Sequence, residues 1–230
     1  MSYPTADTGT TTLVIGNKNY SSWSLRPWLF MRQSKVPFTE LRIALGQPET
    51  ADRLREFSPS GLVPVLLEDD LRLPDSLAIC EYVSDRYLEG RGWPSDQRAR
   101  AVARAACAEV HSGFPCLRQH LPMNLRGDFA WRHFSDKVDG EIQRITALWS
   151  ECRHAFAHGK PWLFGDFSIA DAFFAPIAAR FLTYHVPLPA DAARYVEELR
   201  ALPPLDAWYA AARNEVENLP QYEALEIWLA

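Results

Sequence analysis

At 230 residues, with 47% hydrophobic and 23% charged, the chain has room for one large domain or two small ones. Its ordinary globular composition excludes disordered, fibrous and disulfide-scaffold classes. The formal charge is −5, which supplies no basic footprint for nucleic acid or an anionic membrane surface. The longest apolar stretches, Ile169–Phe174 and Ile177–Phe181, are interrupted by Asp171, Pro176 and Arg180, well short of the ~20 apolar residues of a spanning helix. The opening MSYPTADTGTTT has neither a basic start nor an apolar core, so no signal peptide is expected. Cys80, Cys107, Cys116 and Cys152 are scattered, with no C-x-x-C pair and no histidine at metal spacing, so they read as reduced, mostly packed thiols and no metal site is expected. A cytoplasmic enzyme or binding protein, with neither nucleic acid nor membrane as partner, is the resulting expectation.

Taken in chain order, Thr12-Leu-Val-Ile is a β-branched run that ends at Gly16, a strand. A polar loop over Asn17–Ser22 leads into an apolar-rich helix over Leu25–Val36, stopped by Pro37. Phe38–Leu45 alternates as a second strand, and Thr50–Phe57 reads as a short helix ahead of the turn Ser58-Pro59-Ser60-Gly61. Pro64-Val-Leu-Leu-Glu and Leu71-Arg-Leu flank Asp69-Asp70 as a tight hairpin, and Asp75-Ser76 opens a helix carrying Leu77, Ile79, Cys80, Val83 and Tyr87. This βαβαββα order is the thioredoxin-like arrangement, an α/β domain with a small sheet covered on both faces.

Beyond Tyr87 the pattern changes. Glu89–Ser95 is rich in Gly and Pro and reads as a linker, with Ser95 the expected N-cap of the next helix. Ala99, Val102, Ala106, Val110 and Phe114, and then Val138, Ile142, Ile145, Trp149 and Cys152, recur at steps of three and four, which predicts two amphipathic helices in an all-helical second half. Ser168-Ile-Ala-Asp171 has the form of a capping box, and Pro176 should kink the helix it opens. The expected organisation is an α/β domain at 12–88, a linker at 89–94 and an all-α domain at 95–225.

Three places suit an anion or an extended ligand. The loop Asn17–Ser24 runs into a helix N-terminus, where unpaired N–H groups and about half a positive charge favour a thiolate or phosphate. A hydroxyl from Ser21 or Ser22 there would donate to a thiolate; lowering a thiol by two units needs ~2.7 kcal/mol. The alternative is that these serines only cap the helix. At Val63-Pro64 a strand begins on proline, which suits either a ligand-facing backbone or an ordinary edge start. Asp75-Ser76 is again a helix N-terminus, an anion site by geometry or a plain cap. No G-x-S-x-G elbow and no glycine-rich phosphate loop is present.

As an ordered set, the serine loop, Val-Pro, the acidic-Ser helix start and the helical half with Ser-x-x-Asp resemble the cytosolic glutathione transferase family over about residues 12–220. The resemblance implies that Ser21, with Ser22 as the alternate, activates the thiol of glutathione. Val63 and Pro64 would then meet its cysteinyl part, and Asp75 and Ser76 its γ-glutamyl end. Trp23, with His111 and Phe114 on the first long helix, would shape the pocket for a small hydrophobic electrophile. Glutathione is co-substrate in this scheme and no other cofactor is implied; a homodimer is. Ser-Ser-Trp-Ser is similar to the zeta-class Ser-Ser-Cys-Ser loop with Trp23 at the cysteine position. The alternatives are a glutathione-dependent isomerase, dehalogenase or peroxidase, and a non-catalytic transferase-like interaction module.

Overall fold

A computed structural model describes residues 11–223; the opening segment 1–10 and the last expected helical-domain residues, 224 and 225, lie outside it. Four short strands, β1 (Thr12–Ile15), β2 (Thr39–Arg42), β3 (Val65–Glu68) and β4 (Leu71–Pro74), form one sheet in the order β2-β1-β3-β4. β1 is parallel to β2, with Thr12 opposite Thr39, and antiparallel to β3, with Val14 opposite Val65. β3 and β4 close the hairpin. β2 is shorter than the expected Phe38–Leu45 because its partner β1 stops at Gly16, where a Cβ would lie 2.6 Å from Leu45 and 3.2 Å from Val63.

Alternation along β1 sorts its side chains between two cores. Leu13 and Ile15 join α1 (Ser22–Gln33) and α3 (Ser76–Leu88), while Val14 packs with Leu54 of α2 (Thr50–Phe57) on the other face. α1 begins three residues earlier than its apolar pattern indicates, because Ser21 caps it and draws Ser22, Trp23 and Ser24 into its first turn.

The rest is helical: α4 (Gln97–Ser112), α5 (Pro115–His120), α6 (Asp136–Phe156), α7 (Ile169–Thr183), α8 (Ala190–Arg200), α9 (Pro203–Arg213) and α10 (Pro220–Glu223). The N-cap of α4 is Asp96, whose Oδ1 accepts from Ala99 N–H at 2.8 Å, and not Ser95, whose carbonyl instead accepts from Arg100. The expected linker is packed: Trp93 is buried and Gly92 accepts from Ile169 N–H at the start of α7.

α7 is the hub, apolar on nearly every side, and it packs on α1, α4 and α8. It runs as one helix through Pro176. Its start is fixed by Asp171, wholly buried, whose Oδ2 accepts from the Ser168 N–H at 2.9 Å and hydroxyl at 3.2 Å. Oδ1 accepts from Leu163 N–H at 3.1 Å and the Tyr195 hydroxyl at 3.0 Å. Because α1 lies directly on α7, one continuous core runs from the sheet through Leu25 and Leu29 to Trp149, Phe173 and Trp208. The α/β and helical domains are thereby held face to face, with a cleft along the seam. No described helix is long and apolar enough to cross a membrane.

Candidate functional site

The floor of the cleft is the loop between β1 and α1. Asn17 C=O accepts from Tyr20 and Ser21 N–H at 3.2 and 2.8 Å, turning the chain into the helix. Ser21 accepts from Ser24 N–H at 3.3 Å and donates its hydroxyl to Ser24 Oγ at 2.8 Å. Ser24 Oγ accepts in turn from Gly16 N–H at 3.1 Å, tying strand end to helix start. Ser22 differs: it lines the cleft, and its hydroxyl makes no hydrogen bond to any described residue.

Residues far along the chain pin this loop. Glu215, just past α9, accepts from Lys18 and Asn19 N–H at 2.7 and 3.0 Å, and Trp208 Nε1 donates to Lys18 C=O at 2.9 Å. Asn19 also donates to Asn124 at 2.9 Å and accepts from Arg126 N–H at 2.9 Å.

The second wall begins at Val63-Pro64, a cis peptide. Val63 lies just past the β1–β3 ladder, and its N–H and C=O have no hydrogen-bond partner among the described residues. Asp75 caps α3, its Oδ1 accepting from Leu77 and Ala78 N–H at 2.8 and 3.0 Å. It does so at φ 79°, a conformation that L-residues adopt at a cost of about 1–3 kcal/mol and that clusters at functional sites. Ser76 is buried, and its Oγ accepts from Arg26 Nη1 at 3.4 Å. Across the seam, His111 of α4 places Nε2 3.2 Å from Asp75 Oδ2 and meets the Trp23 ring edge-on at 5.1 Å. Burial lowers the His111 imidazole against the pull of Asp75, with Arg26 and Arg118 adding to the lowering.

Two adjoining hollows result. One, about 390 Å³, brings together Ser21, Ser22, Trp23 and Val63. The other, about 380 Å³, gathers Trp23, Val63, Pro64, Asp75, Ser76 and His111. Phe114 joins neither. It lies past the end of α4, at φ 59° as the cap of α5, with its ring buried in the core. The helical spacing that put it beside His111 breaks at Gly113, which closes α4.

Sequence reasoning missed the cations. Arg26 of α1 is fully buried between the rings of Trp23 and Phe173, its guanidinium carbon 4.2 and 4.7 Å from their centroids. Arg118 of α5 and Arg180 of α7 line the larger hollow. For Arg180 the available signal is a charge in an otherwise apolar helix, where it interrupts the run Ile177–Phe181. The four cysteines take no part: all are free, and burial pushes the Cys80 and Cys107 thiols well up and Cys152 to about 12. Among the described residues no group of three or more His, Cys, Asp or Glu is placed to hold a metal ion.

A four-stranded sheet with a cis-proline ahead of β3, set against a helical domain across a cleft floored by a helix N-terminus, defines a two-domain protein with a thioredoxin-like half. The chain belongs to the glutathione S-transferase family: residues 20–86 match its N-terminal domain and residues 97–211 its C-terminal domain. Glutathione S-transferase Z2 of Arabidopsis thaliana is 28% identical over 209 residues, covering 81% of this chain and 87% of that one. A probable maleylacetoacetate isomerase of Caenorhabditis elegans is 32% identical over 92 residues, 40% of this chain and 42% of that one. In fold, a glutathione transferase homologue from Burkholderia, solved with bound glutathione, superposes with a TM-score of 0.69 at 23% identity, covering 90% of this chain and 100% of that one.

Proposed function

We propose that the cleft binds glutathione and holds its sulfur as a thiolate at the start of α1, for attack on a small electrophile. The observation that carries this is the pairing of a helix N-terminus with the Ser22 hydroxyl, which has no hydrogen-bond partner among the described residues. N–H groups and the macrodipole favour an anion there, and a hydroxyl donor adds to them. Ser21, favoured from the sequence, spends its hydroxyl on Ser24; it organises the loop while Ser22 donates to sulfur. The unpaired N–H and C=O of Val63 suit the cysteinyl amide of an extended peptide, Pro64 fixing the turn beside it. The Ser76 N–H and hydroxyl suit the γ-glutamyl carboxylate, with Arg26 adding positive potential from behind and Asp75 holding the helix start. Trp23 and His111 wall the cleft at the seam.

The chemistry follows from the anion. The thiol proton leaves to solvent, and the sulfur lone pair forms a C–S bond to the electrophilic carbon. In a substitution the leaving group departs with its bonding electrons; in an addition the adjacent carbon takes a proton from water. A second reading, thiolate addition to an alkene followed by its departure, is isomerisation. The nematode relative's name favours it, whereas Trp23 in place of the zeta-class cysteine does not, and a panel of substitution, addition and isomerisation substrates separates the two.

The four free thiols support a reducing, cytoplasmic setting, and the family resemblance supports a two-fold homodimer, distinguished from a 26.1 kDa monomer by sedimentation velocity. The test of the central reading is calorimetric titration with glutathione while thiolate absorbance is followed from about pH 5 to 9, against a free thiol near 8.5. Saturable binding with thiolate appearing well below pH 8 is expected. No binding at millimolar glutathione overturns it in favour of a protein-interaction module.

A further inference from the structure

The hollow beside Ser22 holds positive charge that its described walls leave unanswered. Trp23, Pro122, Met123 and Leu219 make it apolar, Arg118 and Arg180 enter it from the helical domain, and no Asp or Glu lines it among the described residues. Arg180 is only 4% exposed; Nη1 donates to Pro176 C=O, one turn back on its own helix, at 3.1 Å, and Nε has no partner among the described residues. Arg118 donates Nε to Gly113 C=O at 3.0 Å and Nη2 to Val110 C=O, closing the end of α4. The nearby carboxylate, Glu141, is turned to the Cys116 and Leu117 N–H groups at 3.2 and 2.6 Å. Behind Trp23, Arg26 leaves Nε and Nη2 without a partner among the described residues. None of the three arginines forms an ion pair with a described residue.

Desolvated cations without counter-ions oppose folding, so the placing of Arg118 and Arg180 at one cavity needs another reason. Burial, with repulsion from Arg118, brings Arg26 and Arg180 down to about 9, still protonated at neutral pH. A guanidinium offers a planar pair of donors matched to a carboxylate.

We infer that the second substrate is an electrophile bearing a carboxylate, which Arg180, with Arg118 beside it, holds while its reactive carbon faces the sulfur at Ser22. This rests on the glutathione reading and narrows the acceptor from any small hydrophobic electrophile to an anionic one. Arg118 also fastens α4 to α5, so Arg180 is the cleaner position to vary.

The test compares glutathione conjugates that differ only in the end of the S-linked arm. S-(carboxymethyl)- and S-(3-carboxypropyl)glutathione are set against their carbamoylmethyl and 3-carbamoylpropyl counterparts, with S-methylglutathione as reference, by calorimetry at low ionic strength and pH 7. At least one carboxylate should bind ten-fold or more tighter than its amide. Arg180→Gln should bring that ratio near one with S-methylglutathione affinity unchanged within two-fold, and Arg180→Lys should keep part of it; thermal unfolding checks that the variants fold. A wild-type protein that binds S-methylglutathione without preferring either carboxylate overturns the inference. So does an Arg180→Gln protein that loses all ligands equally, since Arg180 then serves the tripeptide. If no conjugate binds the wild type, the glutathione reading itself has failed and this inference falls with it.

Discussion

Replacing Ser22 by alanine should raise the pKa of bound glutathione far more than replacing Ser21. The Ser22 hydroxyl has no other partner among the described residues, so its removal costs the thiolate one charge-assisted hydrogen bond, about 1.5–3 kcal/mol. At 1.36 kcal/mol per unit, that is a rise of about 1–2 pKa units, the helix N-terminus remaining in place. Below both pKa values the thiolate population, and with it turnover at saturating glutathione, should fall about ten- to a hundred-fold, and recover as the pH is raised. Ser21→Ala removes a cap instead, since that hydroxyl bonds only Ser24, at 2.8 Å, and accepts its N–H at 3.3 Å. It should cost about 1 kcal/mol of stability and move the bound thiol by less than about 0.5 unit. Ultraviolet thiolate titration of each complex, with urea unfolding of each free protein, reads both quantities. A rise of more than one unit in Ser21→Ala with none in Ser22→Ala would refute the assignment.

Asp171→Ala should leave the buried Leu163 N–H and Tyr195 hydroxyl without their acceptor, at about 1–3 kcal/mol each, partly offset by removing a buried charge; a net loss of about 2–4 kcal/mol in urea unfolding is expected. Burial raises the Asp171 carboxyl from 3.8 to about 6 despite its hydrogen bonds. Its contribution to stability is therefore full below pH 3.8 and lost as the pH rises through 6, since the folded state holds the proton longer. Asp171→Asn should flatten that limb of the pH–stability curve, and an unchanged slope would contradict the assignment. Glu215→Ala frees two N–H groups of the site loop and should weaken glutathione binding several-fold in calorimetry, although Glu215 lines neither hollow. Thiol titration of the native protein should modify Cys116 readily, with buried Cys80, Cys107 and Cys152 reacting only on unfolding; fast reaction of more than one thiol would show that the core is looser than described.

Legibility followed the range of the interactions. β1, the hairpin, the Asp75 cap and the Ser168–Asp171 box were readable because each depends on a handful of neighbouring residues: a β-branched run, a turn dipeptide, a carboxylate two or three positions from the N–H it accepts. Val63-Pro64 was marked by its proline. Where a cap decided the boundary, the reading slipped by a turn, as at the start of α1, or by one residue, as at Asp96.

The sequence by itself determined the strand and helix order, the change from α/β to all-helical, and the three helix-start and proline positions that face the cleft. Tertiary structure alone decided which serine hydroxyl is free, because Ser21 and Ser22 are equivalent in sequence until Ser24 and Gly16 close a hydrogen-bond chain around one of them. It also decided that Glu215 and Trp208 hold a loop about 190 residues away in the chain, that Phe114 turns into the core, and that Arg118 and Arg180 meet in one hollow. These depend on how helices rotate and pack against each other, and periodicity fixes which face of a helix is buried but not what it is buried against.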